Sequence, residues 1–176
     1  DEEKFHACLL CGREARRLGH PVVLDPVGAG ASPWRLAWAE RLLEAFTPTL
    51  LRVNLGEAQA LARLDSQEQG VDSPAAASRE QRAEAALRLA ERRGCAVLLS
   101  GPEDIVTNGR TIFQVSGGSN QMSRVTGTGC MLSVLCGVFF AVEPEPLAAA
   151  LLASAFWKAC ARRAEALAGE QGPGSF

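Results

Sequence analysis

The stretch Pro21-Val22-Val23-Leu24-Asp25-Pro26-Val27-Gly28-Ala29-Gly30-Ala31 determines the fold class of this chain of 176 residues. A short apolar run ends in a carboxylate and a Gly-rich loop, and Ser32 and Pro33 then predict the first positions of a helix. A buried strand, a polar loop and a helix in this order are typical of one unit of a parallel α/β sheet.

The same order recurs along the chain. Apolar runs predict further buried strands at 50–53 and 95–99, and Asn108-Gly109 predicts a β-hairpin with a primed turn. Periodicity predicts helices over 2–18, 33–46, a short segment that ends near Leu64, 78–93, 129–142 and 147–168, with an exposed polar connection over 65–77. We therefore predict a single α/β domain over 1–176, with a mostly parallel sheet and helices on both faces.

Composition and charge exclude several classes of protein. A hydrophobic fraction of 47% with 22% charged residues is ordinary for a globular domain and excludes global disorder. The formal net charge of −2 provides no basic field for a nucleic acid. The uncharged run 125–142 begins with a loop-like segment, which leaves a helix too short for a membrane and predicts a buried core element. Neither a nucleic acid nor a membrane is an expected partner.

The six cysteines lack the dense spacing of a small secreted scaffold. Cys8 and Cys11 have the CxxC spacing, but no second pair or histidine cluster completes a zinc site, so we predict that they pack in the core. An acidic start without a signal-like segment, together with these thiols, predicts a reduced protein of the cytoplasm.

Polar side chains lie at or just beyond the carboxyl ends of the predicted strands, at Asp25, Arg52, Asn54, Glu57 and Ser100. Open α/β sheets bind ligands beyond the carboxyl ends of their strands, where these residues meet. Carboxylates hold Mg²⁺ or its waters and a guanidinium neutralises phosphate, so this set is compatible with a magnesium-bound polyphosphate. The alternative is that the strand-end acid caps a turn or a helix.

A second candidate is Val125-Thr126-Gly127-Thr128-Gly129-Cys130, which precedes an apolar helix. Small residues let backbone N–H groups approach an anion, and a cysteine in the first turn gains thiolate character. A Gly-rich turn followed by a packed cysteine is the alternative. The Walker pattern is absent, the loop at 28–30 departs from a dinucleotide fingerprint, and only His6 and His20 are present for a Ser-His-Asp hydrolase.

Four motifs in this order carry a resemblance to a known family: 21–30, 52–57, 125–130 and Gly172-Pro173-Gly174-Ser175-Phe176. Together they resemble hydroxyethylthiazole kinase of thiamine salvage, a branch of the ribokinase-like superfamily. A cysteine at 130, where the wider superfamily usually has aspartate, favours this branch.

The resemblance implies a ribokinase-like fold, a homotrimer with sites at subunit interfaces, and ATP-dependent phosphorylation of the hydroxyl of 4-methyl-5-(2-hydroxyethyl)thiazole. Asp25 and Glu57 are implied to be the acids associated with Mg²⁺. Arg52 is implied to contact the ATP phosphates, and Ser100 occupies a nucleotide-side position where the family commonly has threonine.

The resemblance also assigns roles to the glycine-rich segment. Gly127 is the implied substrate contact, and Cys130 is the implied catalytic residue that accepts or orients the proton of the substrate hydroxyl. The backbone of Gly127, Thr128, Gly129 and Cys130 forms the expected anion hole. Val53 stands where the family usually has glycine and is expected to crowd the phosphates or tilt the neighbouring arginine.

Members of the resembled family begin further upstream and extend slightly beyond the GPGSF motif. We therefore expect an incomplete domain that retains its ATP half and lacks part of its substrate pocket. Two alternatives remain at this point: another ribokinase-like kinase, such as one for hydroxymethylpyrimidine, or a non-catalytic module for nucleotide binding or trimer assembly.

Overall fold

The computed structural model describes residues 2–62, 77–168 and 171–176. Its helices are α1 (Glu2–Arg17), α2 (Pro33–Ala45), α3 (Leu55–Ala62), α4 (Arg79–Arg93), α5 (Thr128–Phe139) and α6 (Pro146–Ala168). Its strands are β1 (Val23–Leu24), β2 (Leu50–Val53), β3 (Ala96–Leu99), β4 (Asp104–Thr107) and β5 (Ile112–Val115), and a short 3₁₀ helix covers Asn120–Arg124. Apart from Ala77, the predicted polar connection 65–77 lies outside the described residues.

The five strands form one sheet in the order β1-β2-β3-β4-β5. The first three strands are parallel, and the hairpin β4–β5 adds an antiparallel edge. The hairpin is confirmed, but its two-residue primed turn is wrong, since Thr107 pairs with Ile112 and residues 108–111 form the connection. The Asn108 side chain closes this wider loop by accepting hydrogen bonds from the N–H groups of Arg110 and Thr111.

Helices cover both faces of the sheet, as predicted. Alternate residues of β2 point to opposite faces, so Leu51 and Val53 pack with α2, α3 and α4 while Leu50 packs with α5 and α6. All three side chains are fully buried. The parallel strands are therefore enclosed, and their carboxyl ends open at one edge.

Capping residues set the bounds of α2 and α4, two of the helices that pack on the face of the sheet with Leu51 and Val53. Ser32 caps α2 ahead of Pro33, as the sequence predicts. Ser78 and Gln81 form a capping box at the start of α4, and Gly94 ends it with φ of 64°.

Helix α5 departs from the prediction of a buried core element. It buries Leu132 and Cys136 against the sheet, whereas Met131, Val134 and Val138 are 58%, 70% and 59% exposed. The helix contacts the sheet and α6 along one side only, so apolar composition around its whole circumference does not bury it.

Within the described residues, no helix has both the length and the apolar content to cross a membrane.

The predicted core packing of Cys8 and Cys11 is also wrong, because both side chains are exposed. Helix α1 lies at the edge of the molecule and buries Phe5 and Gly12. Gly12 is in close contact with the ring of Phe46, since a Cβ at this position would lie 2.3 Å from it. The cysteines lie away from this contact side.

Candidate active site

A cavity of about 740 Å³ opens beyond the carboxyl ends of β2 and β3. Its walls come from the ends of these strands, the segments 100–104 and 117–123, the start of α5 and the second half of α6. Five of the predicted site residues line it: Arg52, Asn54, Ser100, Thr128 and Gly129. Its size suits a ligand larger than a single phosphate.

Arg52 is the charged centre of this cavity. It lies in β2 and is only 9% exposed. Its Nη1 lies 3.4 Å from Asp25 Oδ2, and its Nη2 donates to Ser100 Oγ at 2.5 Å. These contacts join the ends of three adjacent strands and fix the planar guanidinium for recognition of an anion.

The start of α5 lies directly against this guanidinium. A Cβ at Gly129 would lie 2.6 Å from Arg52 Nη2, so only glycine permits this approach. Gly127 precedes the helix with φ of 101°, and no side chain caps it there. Thr128 Oγ1 instead donates to the carbonyl of Met122. The N–H groups of the first turn and the guanidinium thus provide positive potential on the same side of the cavity.

Asp25 contacts Arg52 but does not itself line the cavity. Its Oδ2 accepts hydrogen bonds from Arg52 and, at 2.6 Å, from Ser133 Oγ. Its Oδ1 is buried and has no hydrogen-bond partner among the described residues. A buried carboxylate oxygen of this kind suits Mg²⁺ or one of its waters, because Mg²⁺ commonly binds one or two carboxylates together with substrate phosphates.

Glu57 has a different environment. It is 4% exposed, and its Oε1 and Oε2 accept hydrogen bonds from the N–H groups of Gly28 and Asn54 at 2.8 and 2.9 Å. Asn54 Oδ1 accepts in turn from the Glu57 N–H at 2.9 Å. The pair therefore caps α3 and fixes the loop after β1. In the described part of the chain, no three acidic, histidine or cysteine side chains cluster as metal ligands.

Cys130 and Gly127 lie at the start of α5 but do not line the cavity. Cys130 is exposed in the first turn, on the outer side of the helix start. Cys136 lies on the buried side of the same helix, where burial raises the pKa of its thiol to about 12 and the charge of Arg52 opposes part of that rise. Val53 also does not line the cavity, because its side chain packs with the helices on the opposite face of the sheet.

Sequence analysis missed three further residues of the site. Ser133 holds Asp25, and Asp104 and Lys158 form a buried pair at the cavity wall. A signal existed for the lysine, because it is one of two in the chain and interrupts an apolar helix. No pattern marked Ser133, because a hydroxyl on a mostly apolar helix is common.

The family model described as "Hydroxyethylthiazole kinase family" matches residues 1–176. A hydroxyethylthiazole kinase from Exiguobacterium sp. is 38% identical over 168 residues, which cover 96% of this chain and 62% of the relative.

Solved structures agree in fold. A hydroxyethylthiazole kinase protein from Pyrococcus horikoshii OT3 superimposes with a TM-score of 0.86 at 32% identity, covering 99% of this chain and 63% of that one. A pyridoxal kinase from Bacillus subtilis superimposes with a TM-score of 0.64 at 21% identity, covering 85% of this chain and 58% of that one, a likeness of fold alone. The predicted ribokinase-like fold is confirmed.

The chain spans slightly less than two thirds of the length of these matched proteins. The family model nevertheless matches along its entire length, and two of the four motifs that carry the resemblance, 52–57 and 125–130, contribute residues to the cavity wall. The chain belongs to the hydroxyethylthiazole kinase family.

Proposed function

We propose that the protein transfers the γ-phosphoryl group of ATP to the hydroxyl of 4-methyl-5-(2-hydroxyethyl)thiazole. The observation that carries this proposal is the position of Arg52, buried between Asp25 and Ser100 and in contact with the uncapped start of α5. The names of the relatives supply the acceptor.

The cavity is the proposed ATP site, with the polyphosphate at its Arg52 end. In phosphoryl transfer the protein mainly positions the reactants and neutralises charge on the moving group. The guanidinium provides a fixed positive charge, and the backbone of residues 127–130 provides N–H donors beside it. Gly129 keeps this surface free of a side chain.

Asp25 and Glu57 remain the proposed acids of the Mg²⁺ site. When bound, Mg²⁺ would neutralise phosphate charge during transfer. The Asp25 carboxylate has an oxygen free for the ion or one of its waters. A metal ion bound by Glu57 would have to share carboxylate oxygens that already accept backbone hydrogen bonds. Because one of these bonds comes from the N–H group of Gly28, Glu57 also orients the loop that contains Gly28.

The thiazole is proposed to approach the outer side of the α5 start, where Gly127 contacts it and Cys130 accepts or orients the hydroxyl proton. The exposure of Cys130 supports this assignment, since a substrate can reach the thiol. A position just outside the cavity suits an acceptor that attacks the terminal phosphoryl group from the side opposite the leaving ADP.

Bacterial growth tests the proposed activity. A strain that lacks its thiazole kinase and cannot make thiazole phosphate requires thiamine, and the gene that encodes this sequence should restore growth on the thiazole alcohol. Mass spectrometry of the purified protein with ATP and Mg²⁺ should detect thiazole phosphate and ADP. Product from hydroxymethylpyrimidine alone would favour the other kinase class, and ATP binding without any product would favour a non-catalytic module.

We also propose that the protein assembles as a homotrimer in the cytoplasm. The exposed apolar side chains Met131, Val134 and Val138 on α5 support self-association, and the six free cysteines suit a reducing compartment. Sedimentation analysis should give three times the mass of one chain. A monomer at every concentration tested would contradict the trimer and leave the kinase proposal standing.

A further inference from the structure

A buried ion pair lies at the wall of the cavity, away from Arg52. Lys158 of α6 and Asp104 at the start of β4 are each 3% exposed, and Nζ lies 3.3 Å from Asp104 Oδ1. Asp104 also accepts hydrogen bonds from the Gly101 N–H at 2.9 Å and from Ser154 Oγ at 2.8 Å. The carboxylate is therefore well satisfied in a place where an unpaired charge would be costly.

The Lys158 ammonium contacts two separate chain segments through their carbonyl groups. It lies 3.3 Å from Gly101 O, 3.1 Å from Pro102 O and 3.5 Å from Gly117 O. Together with Asp104 these make four acceptors for three N–H donors. The charge of Lys158 is thus committed to the protein rather than to a ligand.

Both contacted segments are walls of the cavity. Ser100, Gly101 and Pro102 line one side, and Gly117 and Gly118 line another. The second segment has consecutive glycines with φ of 109° and 87°, a conformation that Gly adopts at the cost of large backbone freedom in the unfolded chain. The contact of Lys158 with Gly117 therefore holds a segment whose glycines restrict the backbone little.

We propose that the Lys158–Asp104 pair positions the two wall segments and thereby sets the affinity of the cavity for nucleotide. Lys158 is a positioning residue, because it acts through the carbonyls of Gly101, Pro102 and Gly117. This inference rests on the proposed function, in which the cavity binds ATP. A preorganised cavity binds more tightly because the ligand does not have to order its walls.

The test compares Lys158→Met and the double variant Lys158→Met/Asp104→Asn with a matched control. The double variant removes both charges of the pair, so that neither is left unpaired. Its Kd for ATP can therefore be measured where the single variant does not fold. The control is Arg93→Met, since Arg93 Nη2 lies 2.6 Å from Glu40 Oε1, donates to Leu61 O at 2.9 Å, and the pair is 12% and 13% exposed away from the cavity.

Calorimetry would measure the Kd for ATP well below the melting temperature of each variant. We expect both Lys158 variants to weaken ATP binding about tenfold. Amide hydrogen exchange should rise at Ser100, Gly101, Gly117 and Gly118. Arg93→Met should lose stability and keep the Kd of the unsubstituted protein.

Three outcomes separate the inference from the proposed function. Lys158 variants that lose stability but keep the original Kd and local exchange would overturn the positioning role and leave ATP binding intact. An unsubstituted protein that binds no ATP would remove the proposed function itself. Weaker binding in Arg93→Met of the same size would show a general effect of destabilisation and also overturn the inference.

Discussion

Helices α3 and α5 both begin beside the end of β2, but their first turns are completed in different ways. Asn54 and Glu57 cap α3 reciprocally, so its first N–H groups have partners within the chain. Gly127 starts α5 without a side-chain cap, and Gly129 lies against Arg52. Capping, more than position, therefore distinguishes the helix start that maintains the fold from the one that can bind an anion.

Removal of the guanidinium at the open helix start should have the largest effect. Arg52→Met keeps a long apolar stem but removes the charge that faces the phosphates and leaves Asp25 without its ion-pair partner. We expect the Kd for ATP to rise about 100-fold or more, the scale for losing a desolvated charge contact. Calorimetric titration with ATP and Mg²⁺ measures it.

Arg88→Met provides the matched control, because Arg88 pairs with Glu84 on the exposed side of α4. It should bind ATP as the unsubstituted protein does. Equal Kd values for the two variants would mean that the open start of α5 is not the phosphate site.

The outer side of the same helix start should affect turnover and leave nucleotide affinity alone. Cys130→Ala removes a group proposed to act on the substrate hydroxyl, so kcat should fall about 100-fold, as is usual for a positioned base. Cys130→Asp should retain substantial activity, since a carboxylate can accept the same proton. Steady-state kinetics with thiazole measure kcat, and a separate ATP titration measures the Kd for ATP.

A Cys130→Ala variant with unchanged kcat would assign this thiol no part in the reaction. A variant with a raised Kd for ATP would instead place Cys130 on the nucleotide side. Either result would remove the distinction between the two sides of the α5 start.

The two acids near these helix starts should respond differently to loss of charge. Asp25→Asn should raise the Mg²⁺ concentration needed for half-maximal rate about tenfold, because it removes the charge of the proposed metal-associated carboxylate, whose Oδ1 has no hydrogen-bond partner among the described residues. Glu57→Gln should lower the free energy of unfolding by about 1–3 kcal/mol even without metal, since an amide accepts through only one oxygen and leaves a buried N–H unpaired.

Rate curves against Mg²⁺ and urea unfolding of both variants test this difference. A Glu57→Gln protein of full stability with a changed Mg²⁺ curve would make Glu57 a metal-associated acid alone. An Asp25→Asn protein with an unaltered curve would remove Asp25 from the metal site.

Local sequence patterns were sufficient to predict the fold and part of the site. Apolar runs that end in Asp25, Arg52 and Ser100 specify parallel strands, and parallel strands bring their carboxyl ends to one edge. The contact between Arg52 and Ser100 follows from that topology. The glycine-rich start of α5 was recognisable because small residues before a helix let backbone N–H groups approach an anion.

The remaining features depend on tertiary contacts that no short window contains. Ser133 reaches Asp25 across 108 positions of sequence, and Lys158 reaches Asp104 between two elements of the fold. The exposed sides of α1 and α5 were mispredicted for a related reason, because apolar or cysteine content does not define which side faces the sheet. That choice is made by the neighbouring elements.

The smallest expected effect concerns two buried thiols, Cys136 on the inner side of α5 and Cys95 directly before β3 on the opposite face of the sheet. Burial raises the thiol pKa of Cys136 to about 12 and that of Cys95 to about 11, above the ordinary value of 9.0. A raised pKa in the folded state means that the stabilisation is complete below pH 9 and declines as pH rises toward 11–12, because the unfolded thiol ionises first. The free energy of unfolding should therefore fall by about 1 kcal/mol per thiol between pH 9 and pH 10. Tyrosine and lysine side chains, which also ionise at about pH 10, contribute little to this change, since the chain has no tyrosine and only two lysines. Urea unfolding across this range should give a flatter pH profile for Cys95→Ala/Cys136→Ala, whereas Cys8→Ala, at an exposed site, should keep the original slope. Equal slopes for all three proteins would mean that these thiols ionise as readily in the folded chain as in the unfolded one, which would contradict their burial.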